Sequence, residues 1–135
     1  MKRVIFVCQK NACRSQMAEG FARFLDENRK FSFASAGLEA SQVHPLAVQV
    51  MAEVGIDISQ HQSKLLSDFN AEDFPAVISM CDCGKDLPEE WLIKETFYEW
   101  RLDDPHDEPR EICRQVRDEV ERQVRALLLF LNIKG

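Results

Sequence analysis

The sequence predicts an α/β fold: a four-stranded parallel sheet with helices on both faces. Three observations lead there. Short apolar runs at 4–7, 31–36, 76–81 and 95–100 alternate with stretches of helical periodicity at 15–28, 46–54 and 108–133. Such alternation makes parallel strands joined by crossovers. The first run, Val4-Ile5-Phe6-Val7, is continuous and rich in β-branched residues, as in a strand buried on both faces. Finally, the 135 residues hold no internal repeat, low-complexity stretch or linker, so residues 1–135 are expected to form a single catalytic domain.

Each element has its own warrant. In the first helix Met17, Phe21, Phe24 and Leu25 fall at i, i+4, i+7 and i+8, one apolar stripe. The second strand alternates Phe31-Ser32-Phe33-Ala34-Ser35-Ala36 and stops at Gly37. Pro45 suits the first position of the next helix, and Gly55 ends it. Residues 57–69 read as irregular, with room for a short helix. Ala76-Val77-Ile78-Ser79-Met80-Cys81 is the third strand, residues 82–90 a loop, and 95–100 a weaker fourth strand. Asp103-Asp104-Pro105 breaks the chain. The last helix carries Ile112, Val116, Val120, Val124, Leu127, Leu128 and Leu131 on one stripe. Trp91, Tyr98 and Trp100 read as core or crevice wall, Cys113 as core, and His44, His61 and His106 as caps or turn residues.

Composition narrows the function classes. A net charge of −6 and a pI of about 5.1 argue against nucleic acid or an anionic membrane as partner. A small anionic substrate remains open, because a local cluster of N–H groups can override the global field. No stretch reaches the roughly 18 apolar residues of a membrane span. The apolar run before Gln9 is shorter than the ~7–15 residues of a signal peptide core, so a cytoplasmic protein is expected. In that setting five cysteines (8, 13, 81, 83, 113) point to catalysis, redox chemistry or metal binding rather than structural disulfides.

The segment Cys8-Gln9-Lys10-Asn11-Ala12-Cys13-Arg14-Ser15 carries the chemistry. A tight loop between a strand and a helix N-terminus gathers backbone N–H groups at the positive end of the helix dipole, a ready oxyanion cradle. Helix N-termini and arginines favour the thiolate of a neighbouring cysteine. Cys8 is therefore read as nucleophile, Arg14 as oxyanion clamp and Ser15 as hydrogen-bond donor to the thiolate. Asn11, in mid-loop, tolerates a left-handed backbone. The loop lacks the glycines and Gly-Lys-Ser/Thr ending of a nucleotide phosphate loop. Cys8 and Cys81 both end predicted strands and so face one crevice beyond the sheet's C-terminal edge. Cys81 and Cys83 then read as a redox pair within reach of Cys8, with an inert pair or a zinc ligand pair as the other readings. Asp104 before Pro105 is the general-acid candidate, Asp103 the second, and an ordinary acidic turn is an equal reading from spacing alone.

The run from Val7 through the loop to Gln16-Met17-Ala18-Glu19-Gly20 resembles arsenate reductases of the low-molecular-weight protein tyrosine phosphatase fold. Ser35-Ala36-Gly37, His44-Pro45, Gly55-Ile56-Asp57-Ile58-Ser59, Val77-Ile78-Ser79-Met80-Cys81 and Asp103-Asp104-Pro105 extend the likeness over essentially the whole chain. Gln16 is the reductase-like choice, where the phosphatases usually carry Pro. Cys81-Asp82-Cys83-Gly84 with Leu87-Pro88 is similar to the cyanobacterial-type branch that draws on glutathione and glutaredoxin. The resemblance implies reduction of arsenate to arsenite by Cys8, with a thiol/disulfide relay through Cys81 and Cys83. It favours Asp104 as the acid and glutathione/glutaredoxin or thioredoxin as electron donor, with no bound organic cofactor. The alternative is a low-molecular-weight protein tyrosine phosphatase. Some reductases of this family hold potassium through positions matching Asn11, Glu19, Ser35 and an Asp near Ser63-Lys64. Lys64 stands there in this chain, so no metal is expected. Its ammonium is expected to replace the cation, with Asn11 and Ser35 bracing the loop.

Overall fold

A computed structural model describes residues 2–39, 41–80 and 86–134. Its four strands, β1 (Lys2–Cys8), β2 (Phe31–Gly37), β3 (Ala76–Ser79) and β4 (Thr96–Glu99), form one sheet in the order β2-β1-β3-β4. All three pairings are parallel. The α/β expectation holds. Four helices accompany the strands: α1 (Arg14–Leu25), α2 (Pro45–Glu53), the short α3 (Glu89–Leu92) and α4 (Arg110–Lys134). Single 3₁₀ turns occupy Leu66–Asp68 and Ala71–Asp73.

The central β1 explains the sheet. Val4, Ile5, Phe6 and Val7 are all fully buried. Each such side chain contributes roughly 1.5–3 kcal/mol relative to exposure. Alternation splits them between two cores. Val4, Phe6 and Cys8 pack with residues of α1, α2 and α4. Ile5 and Val7 face Leu66, Phe74, Leu87 and Trp91 on the other side. The sheet is thus covered on both faces, unequally: long helices on one, short turns and α3 on the other. None of the helices among the described residues is long and apolar enough to cross a membrane.

Boundaries moved where a local group ends an element. The first helix stops at Leu25, not residue 28, because the Asp26 carboxylate takes the N–H groups of Lys30 and Phe31 and turns the chain into β2. Burial along α1 ends at Ala22, so Phe24 is 60% exposed and leaves the expected stripe. Tyr98, on the edge strand, also lies outside the core, edge-on to Phe130. Trp91 is buried and Trp100 packs on Phe6, as expected of core and wall residues. The last helix begins at Arg110, after Pro109, rather than at residue 108. Residues 81–85 lie outside the described residues, so the third strand is described only to Ser79, followed by Met80, whose N–H reaches Val7 O at 2.7 Å.

The strand order sets the site. Beyond β1 the chain turns to β2 on one side, while β3 pairs on the other. The C-terminal ends of β1 and β3 therefore flank the crevice where ligands of open parallel sheets bind.

Candidate active site

Five residues, 9–13, join β1 to α1. Asn11 sits among them with φ 53°, in the left-handed region that Asn tolerates. The loop is braced from three directions. His44 N–H donates to Ala12 O at 2.9 Å, the Ser63 hydroxyl to Lys10 O at 2.9 Å, and Lys64 N–H to Asn11 Oδ1 at 2.8 Å. At β2's end Gly37 runs against the loop backbone so closely that a Cβ there would meet Asn11 N and Lys10 C at 2.7 Å.

Cys8 and Ser15 are brought together in the loop's interior, with Sγ and Oγ 2.8 Å apart. Asn11 Nδ2 donates to the same hydroxyl at 2.8 Å. The backbone donor Lys64 N–H fixes the orientation of the Asn11 amide, because its Oδ1 must face that group. Ser15 therefore accepts from Asn11 and has its own proton free for the Cys8 sulfur.

Arg14, 8% exposed, crosses the crevice. Its Nη1 donates to Met80 O at 3.2 Å and Leu102 O at 3.1 Å, and its Nη2 lies 3.7 Å from Asp104 Oδ2. Its Nε is buried and has no partner among the described residues. A buried donor left unpaired is costly, and an anionic ligand would relieve it. Gln9, Lys10, Ala12 and Cys13 line the same small cavity with Cys8, Arg14, Asp104 and His106. Asn11 and Ser15 stand behind it. Of the two acid candidates Asp104, not Asp103, is a lining residue; its Oδ1 accepts from His106 N–H at 3.0 Å.

The residues expected around the loop's cation position hold other partners. Ser35 donates its hydroxyl to Glu19 Oε1 of α1 at 2.5 Å. Lys64 does not take the cation's place. Its Nζ donates to Gln62 O, and the positive charge on Glu19 is Arg23, 2.6 Å away. Arg23 stands one helical turn after Glu19, the spacing that brings such pairs together on a helix.

Cys13 also belongs to the loop. The hydrogen bond to the Cys113 thiol and burial push the Cys13 thiol well above the ordinary thiol range, so it stays protonated and weakly nucleophilic beside Cys8. Cys113 is fully buried, as expected of core. His44 caps α2, its Nδ1 accepting from Leu46 N–H. His61 lies against Gln16. His106 lies in the cavity wall, edge-on to His44 with 5.0 Å between ring centroids. His106 stands in a turn, as expected, and the signal for its place in the cavity wall was its nearness to Asp104 in the chain. Cys81 and Cys83, the expected redox pair, lie outside the described residues.

Known proteins resemble this chain in sequence and in fold. The profile of the low molecular weight phosphotyrosine protein phosphatases matches residues 3–134. A glutaredoxin arsenate reductase of Synechocystis is 50% identical over 132 residues, 98% of this chain and all of that protein. An arsenate reductase of Staphylococcus aureus is 37% identical over 121 residues, 88% of this chain and 90% of the relative. Among solved structures, an arsenate reductase in the phosphate binding state superposes with a TM-score of 0.89 at 49% identity, covering 96% of this chain and 98% of that one. A low molecular weight protein tyrosine phosphatase of T. tengcongensis gives 0.85 at 26% identity, with 95% and 98% covered. With its fold and nearly its whole length shared with these proteins, the chain belongs to the low molecular weight phosphotyrosine protein phosphatase family.

Proposed function

We propose that this chain is an arsenate reductase, a thiol-dependent oxidoreductase that converts arsenate to arsenite. One observation carries the reading of an oxyanion substrate: Cys8, held by Ser15, shares a cavity with Arg14, whose buried Nε has no partner among the described residues. The near full-length likeness to a glutaredoxin arsenate reductase supports arsenate as that oxyanion.

Arsenate docks on the Cys8–Ser15 loop and Arg14. The Cys8 thiolate attacks arsenic, and Asp104 protonates the oxygen that leaves as water. Arsenic is still pentavalent in this adduct. A second thiol, Cys81 or glutathione, then attacks the Cys8 sulfur. The sulfur–arsenic bond breaks with its electron pair left on arsenic, which departs as arsenite, and a disulfide forms on Cys8. With Cys81 as attacker, Cys83 exchanges into that disulfide and frees Cys8. Glutathione with glutaredoxin, or thioredoxin, reduces the Cys81–Cys83 disulfide. Met80, directly before Cys81, supports this route, because Arg14 holds its carbonyl at the crevice. A cytoplasmic setting, where thiols stay reduced, fits the scheme, as does one catalytic domain over 1–135.

Arsenite formation with glutathione and glutaredoxin tests the reading. Wild type is expected to turn over repeatedly and Cys8→Ser not at all. Hydrolysis of p-nitrophenyl phosphate by a wild type that forms no arsenite would instead assign a phosphatase.

A further inference from the structure

Behind the loop a hydrogen-bonded path runs from the Cys8 sulfur to a histidine that the chemistry above does not use. Gln16 is fully buried on α1. Its Nε2 faces three oxygens: Asn11 Oδ1 at 2.9 Å, Gln62 O at 3.0 Å and Asn11 O at 3.2 Å. Two of these are backbone carbonyls, which only accept, so the amide nitrogen must be the atom facing them. Oε1 is left toward His61 Nδ1, 3.0 Å away, and needs a donor there. The ring therefore carries a proton on Nδ1. Asn11 in turn places its Nδ2 on Ser15 Oγ, and Ser15 lies on the Cys8 sulfur.

We infer that Gln16 and His61 are positioning residues for the Cys8 thiolate, acting through Asn11 and Ser15. His61 supplies the donor that Gln16 Oε1 needs once Nε2 is turned to the carbonyls of Asn11 and Gln62. Gln16 Nε2 then holds Asn11 Oδ1 together with Lys64 N–H, and Asn11 fills the acceptor face of Ser15 so that the serine proton is directed to sulfur. Without the His61 donor, Gln16 Oε1 is left unpaired and the amide has no orientation that satisfies both ends. The charged groups acting on His61 are Glu19 and Arg23 of α1 and Asp57 and Lys64 of the segment after α2. Burial is the largest influence and holds the imidazole below its ordinary range. His61 is thus neutral at physiological pH, and protonation would leave the Nδ1–H donor in place. The role is orientation of a fixed hydrogen bond, not proton transfer.

The inference rests on Cys8 being the attacking thiol, and its test needs no arsenate. The rate of iodoacetamide alkylation at Cys8 is followed by peptide mass mapping across pH in wild type, His61→Ala, His61→Asn and Gln16→Leu, with melting temperatures alongside. His61→Ala is expected to slow alkylation at neutral pH by about fivefold, the weight of one net hydrogen bond, and to move the whole pH–rate profile toward alkaline pH. Gln16→Leu is expected to do the same. The amide nitrogen of His61→Asn can stand where Nδ1 stands, so this variant should remain within about twofold of wild type. A purely structural role would lower melting temperature and leave the profile of the folded protein in place. Wild-type alkylation by His61→Ala, or a His61→Asn as slow as the alanine variant, overturns the inference. Loss of arsenate reduction with this alkylation pattern intact would count only against the proposed reaction.

Discussion

Arg14 Nη2 stands 3.7 Å from Asp104 Oδ2 across the mouth of the cavity. The two residues come from opposite sides of the crevice, and Arg14 is anchored there by the carbonyls of Met80 and Leu102. Asp104 is itself 57% exposed at the side chain, so the pair adds little to stability. Its value is placement: an acid held beside the anion clamp. Asp104→Asn is expected to lower kcat by about 10²-fold, with KM for arsenate and the melting temperature nearly unchanged. Steady-state kinetics and a thermal melt check both halves.

Ser15→Ala removes the hydroxyl between Asn11 and Cys8. It leaves Asn11 Nδ2 without its acceptor in a site with no solvent access. Stability is expected to fall by about 1–3 kcal/mol, the cost of an unpaired buried polar group, as read by urea denaturation. The rate of Cys8 alkylation should drop in the same variant.

Gly37→Ala tests how tightly β2 fits the loop. The added Cβ would sit 2.7 Å from backbone atoms of Lys10 and Asn11, which cannot rotate away as a side chain could. The loop must shift. A loss in kcat/KM for arsenate of about 10²-fold is expected, since catalysis at such sites is sensitive to ~1 Å displacements. Circular dichroism should report an intact fold. Full activity would mean that the loop's position is not set by this approach.

Glu53 supplies the pH dependence of the α2–α4 contact. The hydrogen bond from Arg114, then that from Arg117, holds its carboxyl at about 2, below the ordinary 4.5. A lowered folded-state value means the ionised form is the one that stabilises. The contribution is therefore complete above about 4.5 and lost as pH falls toward 2. Glu53→Gln should melt below wild type at neutral pH, and the gap should close across that acidic window. Because the group is exposed, added salt should also narrow the gap.

How far the chain could be read ahead of its structure depended on the range of the interactions. Strand β1 was legible because Val4 to Val7 need no partner to be identified as buried. The Cys8-to-Arg14 loop was legible because strand, turn and helix are contiguous there. Asn11's left-handed backbone and His44's cap follow from short-range chemistry. Phe24 failed because helical periodicity names a face and cannot say where the core beneath that face ends. Tyr98 failed similarly, on a strand with no neighbour beyond it. Lys64 was expected to replace a cation held by positions such as Asn11, Glu19 and Ser35, whereas Arg23, four residues from Glu19, carries the charge that pairs with Glu19. Partners separated by dozens of residues, such as Arg14 with Met80 and Leu102 or Asn11 with Lys64, had no local signal at all.

We propose that the loop performs the first step and that Cys81 and Cys83 turn it into reduction. The direct measurement is arsenite release over many turnovers by the Cys81→Ser/Cys83→Ser variant, with glutathione and glutaredoxin supplied and aryl phosphate hydrolysis assayed in parallel. The account predicts that sustained arsenite release is lost while the loop stays competent, as judged by any hydrolysis the wild type has and by Cys8 alkylation. Sustained arsenate reduction at the wild-type rate by the double variant would contradict it and assign the attack on the Cys8 sulfur to glutathione.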